Sequence, residues 1–238
     1  MSTYDFKAGK ARVEEILNNR TEVIEQNSIP KDSQFTYENG YYGWVSAIFV
    51  DIRDSTTLFQ NSDKVKVSKI IRCFTSEIIE ILRYDDNLRE IGIRGDCVYA
   101  IYTTPNTDDI YEIADKSFYI NSYIRELNSL LSKNEYPQLR IGIGVSSAQE
   151  LVVKAGRKNT GICNNVWIGN AVTTASNLSS IGGKNGAPTI AFSAICYNNF
   201  IERLKEENPS ASSWFTMRFS PQYGFYYAGN ASKAGYES

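Results

Sequence analysis

The feature that most constrains the fold is a nearly continuous apolar run, WVSAIFVDI, at residues 44–52. The run is rich in β-forming residues, so it predicts a central strand that is buried on both faces of a sheet. The segment RDSTTLF follows it, and Asp54 or Ser55 is a suitable N-cap for a helix there. Apolar residues at helical spacing extend this predicted helix to about Leu82.

The next segment, REIGIRGDCVYAIY at residues 89–102, predicts two paired strands joined by a tight turn at Gly95 and Asp96. Asp is an ordinary turn residue, because its side chain bonds the local backbone. This segment alone therefore leaves two interpretations open. Asp96 is either a solvated turn residue or a carboxylate that a rigid hairpin displays for chemistry.

The rest of the chain predicts a further alternation of helices and strands. A helix carries apolar residues from Ile110 to Leu131, LRIGIGV begins a strand, and WIGNAVTTASNLSSIGG predicts a third helix that includes Ile168. A strand at APTIAFS, a helix over 194–207 and two short strands at TMRF and GFYYAG complete the chain. This order predicts an α+β fold, a ferredoxin-like split βαβ (βαββαβ) sheet with helices on one face and appended αβ elements.

The sequence predicts a short lead followed by one domain. Residues 1–43 form the lead, helical over 5–27 and then a loop punctuated by Pro, Asn-Gly and Gly. Residues 44–238 form the domain, since we find no linker or low-complexity tract within them.

Composition excludes several functional classes. The net charge of −2 argues against a nucleic-acid binder. Histidine is absent, which excludes Ser-His-Asp catalysis and imidazole-ligated zinc. No apolar run approaches ~18 residues, and the N-terminus lacks the apolar core of a signal peptide. We therefore expect a cytoplasmic protein without a membrane segment.

Two carboxylates should meet at one edge of the predicted sheet. Asp51 ends the central strand and Asp96 lies in the hairpin beside it. A charge at the end of a buried strand is costly unless it is neutralised. Both carboxylates, with the Ile52 carbonyl, suit Mg²⁺ or Mn²⁺, and the backbone amides of 53–56 at a helix start could hold a triphosphate.

Four segments together carry a specific resemblance: FVDIRDST at 49–56, GDCVYAIY at 95–102, RIGIGV at 140–145 and VWIGNAVTTASNLSS at 166–180. In order and spacing they resemble the catalytic domain of class III nucleotidyl cyclases, over roughly residues 44–193. The resemblance implies that Asp51 and Asp96 bind two metal ions, Mn²⁺ or Mg²⁺, which carry a nucleoside triphosphate. The ribose 3′-hydroxyl then attacks the α-phosphorus, which yields a cyclic nucleotide and pyrophosphate.

The resemblance also implies the remaining site. The catalytic residues are Asp51 and Asp96, and the Ile52 carbonyl completes the metal ligands. In the family each site forms between two subunits, so a homodimer is expected, with the partner contributing the segment 164–177. The residues that contact the nucleotide are expected to be Phe49, Arg53, Asp54, Ser55, Thr56, Asn165, Thr173 and Asn177.

The sequence departs from purine cyclases at four positions. Gly92 stands where adenylyl cyclases have a base-reading Lys, and Asn165 stands where they have an Asp. Thr173 and Asn177 align with the usual Asn and Arg that contact the ribose and the transition-state phosphate, with Ile168 as one inserted residue. Another cation could replace this Arg, and the candidates are Arg53, Lys154, Arg157, Lys158 and Lys184.

These departures favour altered base specificity. The chain looks like the small pyrimidine cyclases of bacterial anti-phage defence systems, which make cyclic UMP or cyclic CMP. We therefore expect conversion of UTP to 3′,5′-cyclic UMP as a second messenger for a separately encoded effector. The alternatives are a cytidylate cyclase, an ATP- or GTP-using cyclase, and a non-catalytic dimeric regulator.

Overall fold

The computed structural model describes residues 4–60 and 63–235. Helices and strands alternate along most of the chain. The helices are α1 Phe6–Asn18, α2 Ser55–Gln60, α3 Lys64–Arg83, α4 Thr107–Lys133, α5 Asn170–Ile181 and α6 Ala194–Glu207. The strands are β1 Glu22–Glu25, β2 Asn39–Ile52, β3 Leu88–Arg94, β4 Cys97–Thr103, β5 Ile141–Arg157, β6 Ile162–Gly169, β7 Ile190–Ser193, β8 Phe215–Ser220 and β9 Gly224–Gly229.

The strands form one mixed sheet in the order β3-β4-β2-β5-β7-β9-β8. The strands β3, β4, β2 and β5 are antiparallel neighbours, which is the order of a ferredoxin-like split βαβ core. The α+β prediction is therefore confirmed. The appended strands extend the sheet beyond β5 through one parallel pair, β5 with β7, and β6 folds back on the second half of β5.

The two faces of the sheet carry different helices. Residues Ile48, Val50 and Ile52 pack against α3, α4 and α6 on one face, whereas Ala47 and Phe49 pack beneath α5 on the other. Side chains alternate between faces along a strand, so Asp51 lies on the α5 face. The expectation that helices cover one face holds for the core helices and is wrong for α5.

Helix α5 packs directly on β5 because two glycines leave space for it. A Cβ added at Gly144 would lie 2.0 Å from the Ala175 carbonyl oxygen, and one at Gly142 would lie 2.2 Å from the Ser179 carbonyl oxygen. Neither neighbour is a flexible side chain. The sequence RIGIGV therefore fixes how closely α5 approaches the sheet.

The structure corrects two predicted element boundaries. The single helix expected from 55 to 82 is two helices, with residues 61 and 62 outside the described ranges. Asp63 begins the second of them by accepting hydrogen bonds from the backbone N–H groups of Val65 and Lys66. Ile168, expected in the third helix, lies in β6, and that helix begins at Asn170.

The N-terminal lead also differs from the prediction. The predicted helix over 5–27 ends at Asn18, and residues 22–25 form β1, which pairs in parallel with the start of β2. The β-branched pair Val23 and Ile24 favours a strand there. Strand β2 begins at Asn39, so it crosses the domain boundary that we placed after residue 43. No helix within the described ranges is long and apolar enough to span a bilayer.

Candidate active site

Asp51 and Asp96 lie together at the edge of the sheet. Asp51 pairs with Cys97 across β2 and β4, and Asp96 directly precedes Cys97 in the hairpin turn. The Ile52 N–H donates a hydrogen bond of 3.4 Å to the Asp96 carbonyl oxygen. Gly95 supplies the left-handed conformation that the two-residue turn needs, with φ of 63°. The predicted juxtaposition of the two carboxylates on one sheet edge is therefore present.

The electrostatics of this pair fit a cation. Burial raises the pKa of Asp51, the Arg53 guanidinium lowers it, and the Asp96 charge raises it again, for a net increase. A bound divalent ion would offset the repulsion between these two partly buried negative charges. Burial also raises the pKa of the Cys97 thiol to about 12, and hard cations such as Mg²⁺ and Mn²⁺ prefer oxygen to sulfur ligands.

The donor set is small and consists of oxygens. Within residues 4–60 and 63–235 no cluster of three or more Asp, Glu or Cys side chains could hold a metal ion. Two carboxylates and the Ile52 carbonyl leave coordination positions for water and phosphate oxygens, which is how Mg²⁺ is commonly bound in nucleotide sites. The residues present therefore fit Mg²⁺ or Mn²⁺ bound together with a substrate.

Arg53 is built into this site rather than free on the surface. Its side chain is 8% exposed and forms an ion pair with the Asp51 carboxylate. Its guanidinium also donates to the Ser180 carbonyl oxygen at 2.7 Å, which ties β2 to the end of α5. Its Nε has no hydrogen-bond partner within the described part of the chain. Arg53 is therefore a buried cation beside the carboxylates.

The predicted phosphate cradle is only partly available. The Arg53 N–H donates to the Arg140 carbonyl oxygen at 2.7 Å, so the expectation that this amide could hold phosphate is wrong. Asp54 has φ of 54°, and its carbonyl oxygen accepts the Leu58 N–H at 3.0 Å, which places it at the N-cap as predicted. Ser55 and Thr56 then form the first turn of α2.

A polar cavity of about 470 Å³ contains the predicted base reader Asn165. Its amide Nδ2 donates to Asp32 Oδ1 at 2.7 Å. Gly92, which stands at the other base-reading position, is covered by a tyrosine, since an added Cβ would lie 2.7 Å from Tyr99 Oη. Phe49 is buried and stacks on Tyr99 with ring centroids 5.2 Å apart. The cavity is lined by Asp32, Arg89, Glu90, Ile91, Tyr99, Lys154, Cys163, Asn164 and Asn165.

Thr173 and Asn177 lie in a different place. Both are on α5 and line a cavity of about 660 Å³ together with Ser146 and Ser147 of β5. Asp51 of β2 pairs with Gly142, which belongs to β5 like Ser146 and Ser147. Gly142 and Ser146 are four positions apart on β5, which corresponds to about 13 Å. The C-terminal end of α5 nevertheless approaches Asp51, since the Ser180 carbonyl oxygen accepts a hydrogen bond from Arg53. Thr173 and Asn177 therefore line a cavity other than the one that contains Asn165.

Sequence reasoning missed two buried or half-buried carboxylates. Glu150 is fully buried on β5 and caps α5 from the sheet, with its Oε1 accepting the Val172 N–H at 3.0 Å. Its position two residues before the buried Val152 is the alternation signal that could have found it. Glu90 lines the Asn165 cavity and accepts hydrogen bonds from Tyr99 and Trp167.

Comparison with known proteins shows similarity to nucleotide cyclases, the class that the sequence resembles. The family model of the adenylate and guanylate cyclase catalytic domain matches residues 37–198 of this sequence. The fold also matches the crystal structure of the adenylyl cyclase CyaB from P. aeruginosa with a TM-score of 0.64 at 17% identity, over 82% of this chain and 97% of that one. The chain belongs to the adenylate and guanylate cyclase catalytic domain family, and it is a nucleotide cyclase.

Two similar proteins are both uridylate cyclases. A uridylate cyclase of Treponema porcinum is 52% identical over 94% of this chain and 76% of its own length. A uridylate cyclase of Gulbenkiania mobilis is 29% identical over 96% of this chain and 92% of its own length. The resemblance to class III nucleotidyl cyclases is therefore confirmed.

Proposed function

We propose that this protein is a uridylate cyclase, which converts UTP to 3′,5′-cyclic UMP and pyrophosphate. The observation that carries the proposal is the pair Asp51 and Asp96 on one sheet edge, the arrangement that the cyclase reaction requires. Similarity to two uridylate cyclases supports uracil as the base. Gly92 and Asn165 add support, because they replace the two adenine readers.

The chain's own residues hold and orient the reactants. Asp51, Asp96 and the Ile52 carbonyl would bind Mn²⁺ or Mg²⁺, two ions per site. The bound ions would polarise the attacking 3′-hydroxyl and neutralise the leaving pyrophosphate. Arg53 keeps the Asp51 carboxylate oriented through their ion pair. The first turn of α2, with Asp54, Ser55 and Thr56, would lie beside the phosphates.

The proposed active enzyme is a homodimer with both sites at the subunit interface. Membership of the cyclase family supports this proposal, since each site of that family forms between two subunits. The exposed apolar side chains Ile162, Val166 and Ile168 on β6 offer surface for such an interface.

The proposed product is a signal. Cyclic UMP made in the cytoplasm would act as a second messenger on a separately encoded effector in anti-phage defence. Support comes from the similarity to uridylate cyclases and from the departures of the chain from purine cyclases at Gly92 and Asn165. The proposed catalytic domain includes the whole of β2 and so begins by Asn39, ahead of the boundary expected at residue 44.

The proposal is tested by removing one carboxylate at a time. Asp51→Asn and Asp96→Asn should each lower turnover of UTP by at least about 100-fold, because each loses a metal ligand. Asp96→Asn should fold because it relieves repulsion between two carboxylates, and Asp51→Asn keeps an amide oxygen that can still accept the hydrogen bond from Arg53. Asp86→Asn is the matched control, since Asp86 is exposed near the opposite end of the β3–β4 hairpin.

Product is measured by mass spectrometry after incubation with UTP and Mn²⁺. Cyclic UMP from the wild type and from Asp86→Asn, but not from the other two variants, is the expected result. Near wild-type turnover by Asp51→Asn or Asp96→Asn would contradict the proposed roles of the two carboxylates.

A further inference from the structure

We propose that Glu90 reads the polar edge of the pyrimidine and selects uracil over cytosine; this inference rests on the proposed function. Glu90 precedes Gly92 by two residues on β3, so both lie on the same face of the strand. Gly92 offers no side chain, and the Tyr99 ring covers it. Glu90 is therefore the next side chain along this face that can contact a base in the cavity.

The carboxylate of Glu90 is held in a fixed position. Tyr99 Oη donates a hydrogen bond of 2.7 Å to Glu90 Oε1. Trp167 Nε1 donates one of 2.7 Å to Glu90 Oε2. Each carboxylate oxygen has a second lone pair, so both can accept a further hydrogen bond from a ligand. A carboxylate oriented by two donors in this way is preorganised for recognition.

Glu90 and Asn165 line the same cavity and offer complementary groups. An ionised carboxylate only accepts hydrogen bonds, whereas the Asn165 amide also donates them. Uracil presents an N3–H donor beside a carbonyl acceptor, so Glu90 can accept from N3–H while Asn165 donates to the carbonyl. Cytosine presents an unprotonated N3 at the same place. A carboxylate that faces this acceptor leaves both groups unpaired. Cytosine must therefore shift to bring its exocyclic amine to Glu90, which moves it out of the position that uracil occupies and disfavours it.

The test variant is Glu90→Gln, which preserves the contacts that hold the side chain. The amide oxygen accepts from Trp167, and the amide NH₂ donates to the Tyr99 hydroxyl, which can accept. The second amide hydrogen then faces the base, so the variant donates a hydrogen bond where the carboxylate accepts one. We expect kcat/KM for UTP to fall by about 10- to 100-fold, the range for losing a hydrogen bond to a charged group. The ratio of UTP to CTP turnover should fall with it.

The control variant is Tyr99→Phe, which removes one of the two hydrogen bonds to Glu90 and keeps the carboxylate. If Glu90 contacts the base, this variant retains the preference for UTP over CTP even where its activity falls. If Glu90 serves only to join Tyr99 and Trp167, the two variants behave alike and Glu90→Gln retains the preference too. That second result would overturn the inference.

Two further outcomes keep the inference distinct from the proposed function. Failure of the folded wild type to make cyclic UMP overturns both. Cyclic UMP from the wild type, with an unchanged UTP to CTP ratio in Glu90→Gln, overturns only the role of Glu90. Thermal unfolding reports whether each variant folds. If Glu90→Gln does not fold, Glu90→Ala replaces it, and an unchanged preference in that variant contradicts the inference equally.

Discussion

Replacing Glu150 should uncouple helix α5 from the sheet that positions it. Glu150 is fully buried on β5, and it accepts backbone hydrogen bonds from Ala171 and Val172 in the first turn of α5. The residue at the N-cap position, Gly169, has no side chain that could do this. Glu150→Leu therefore leaves two N–H groups at a buried helix start without an acceptor.

The magnitude follows from these two groups. An unsatisfied buried N–H costs about 1–3 kcal/mol, and the loss of a helix cap alone costs about 0.5–2 kcal/mol. Glu150 Oε2 is buried and has no hydrogen-bond partner within the described residues, so Glu150→Leu also removes the cost of burying that oxygen. The net decrease in the free energy of unfolding should therefore be about 1–3 kcal/mol, which for a chain of this length corresponds to a decrease in Tm of about 2–12 °C. Turnover should also fall, because α5 carries Thr173 and Asn177.

Glu150→Gln is the matched control, because its amide oxygen can accept the same hydrogen bonds. Burial raises the pKa of Glu150 from 4.5, with the two amides opposing the increase. Between the pKa of Glu150 in the unfolded chain and its raised pKa in the folded protein, the folded protein binds more protons. The free energy of unfolding therefore falls as pH rises through that window. The glutamine variant lacks this loss, so its stability relative to wild type should rise with pH.

The assay is urea unfolding of the three proteins from pH 4 to pH 8, with turnover measured on the same samples. Wild-type stability in Glu150→Leu would refute the capping argument. A loss in Glu150→Gln as large as that in Glu150→Leu would show that the backbone hydrogen bonds are not what matters at this position.

Three further predictions concern packing, assembly and metal. Gly144→Ala should lower the free energy of unfolding by about 3 kcal/mol or more in urea titrations, because its Cβ would lie 2.0 Å from a carbonyl oxygen of α5. Gly161→Ala, with open space and φ of 72°, should cost only about 1 kcal/mol. Mixing Asp51→Ala chains with Asn177→Ala chains should restore about a quarter of wild-type turnover, since half the dimers regain one of two sites; no recovery in proven heterodimers would place each site within one chain. Chelation should abolish turnover and added Mn²⁺ should restore it, and turnover that survives chelation would exclude a metal-dependent reaction.

Local patterns were sufficient to predict the core of the fold and the meeting of Asp51 and Asp96, whereas their metal-binding role came from the family resemblance. Strand β2 is an apolar run, and the Gly95-Asp96 turn is short and chemically distinctive, so their pairing needs few assumptions. Asp51 and Asp96 then follow from strand order. The N-terminal strand β1 was missed because its four residues show no period that separates a strand from a helix.

The contacts that tune the site depend on residues far apart in the chain. Arg53 was considered as a nucleotide contact and a replacement cation, but its guanidinium binds Asp51 and the end of α5. Trp167 donates to Glu90 across 77 positions of sequence. No periodicity or turn rule encodes such pairs, because they arise only when the sheet brings β3, β4 and β6 together.

The central claim is tested most directly by measuring which of the four nucleoside triphosphates the enzyme converts to a cyclic nucleotide. Purified wild-type protein is given UTP, CTP, ATP and GTP at equal concentration with Mn²⁺, and the cyclic products are separated by mass. The account predicts that cyclic UMP exceeds the other products by at least about 10-fold, since mispairing with another base leaves buried polar groups unsatisfied. Dominant cyclic CMP would contradict the choice of uracil, and dominant cyclic AMP or cyclic GMP would contradict pyrimidine specificity altogether.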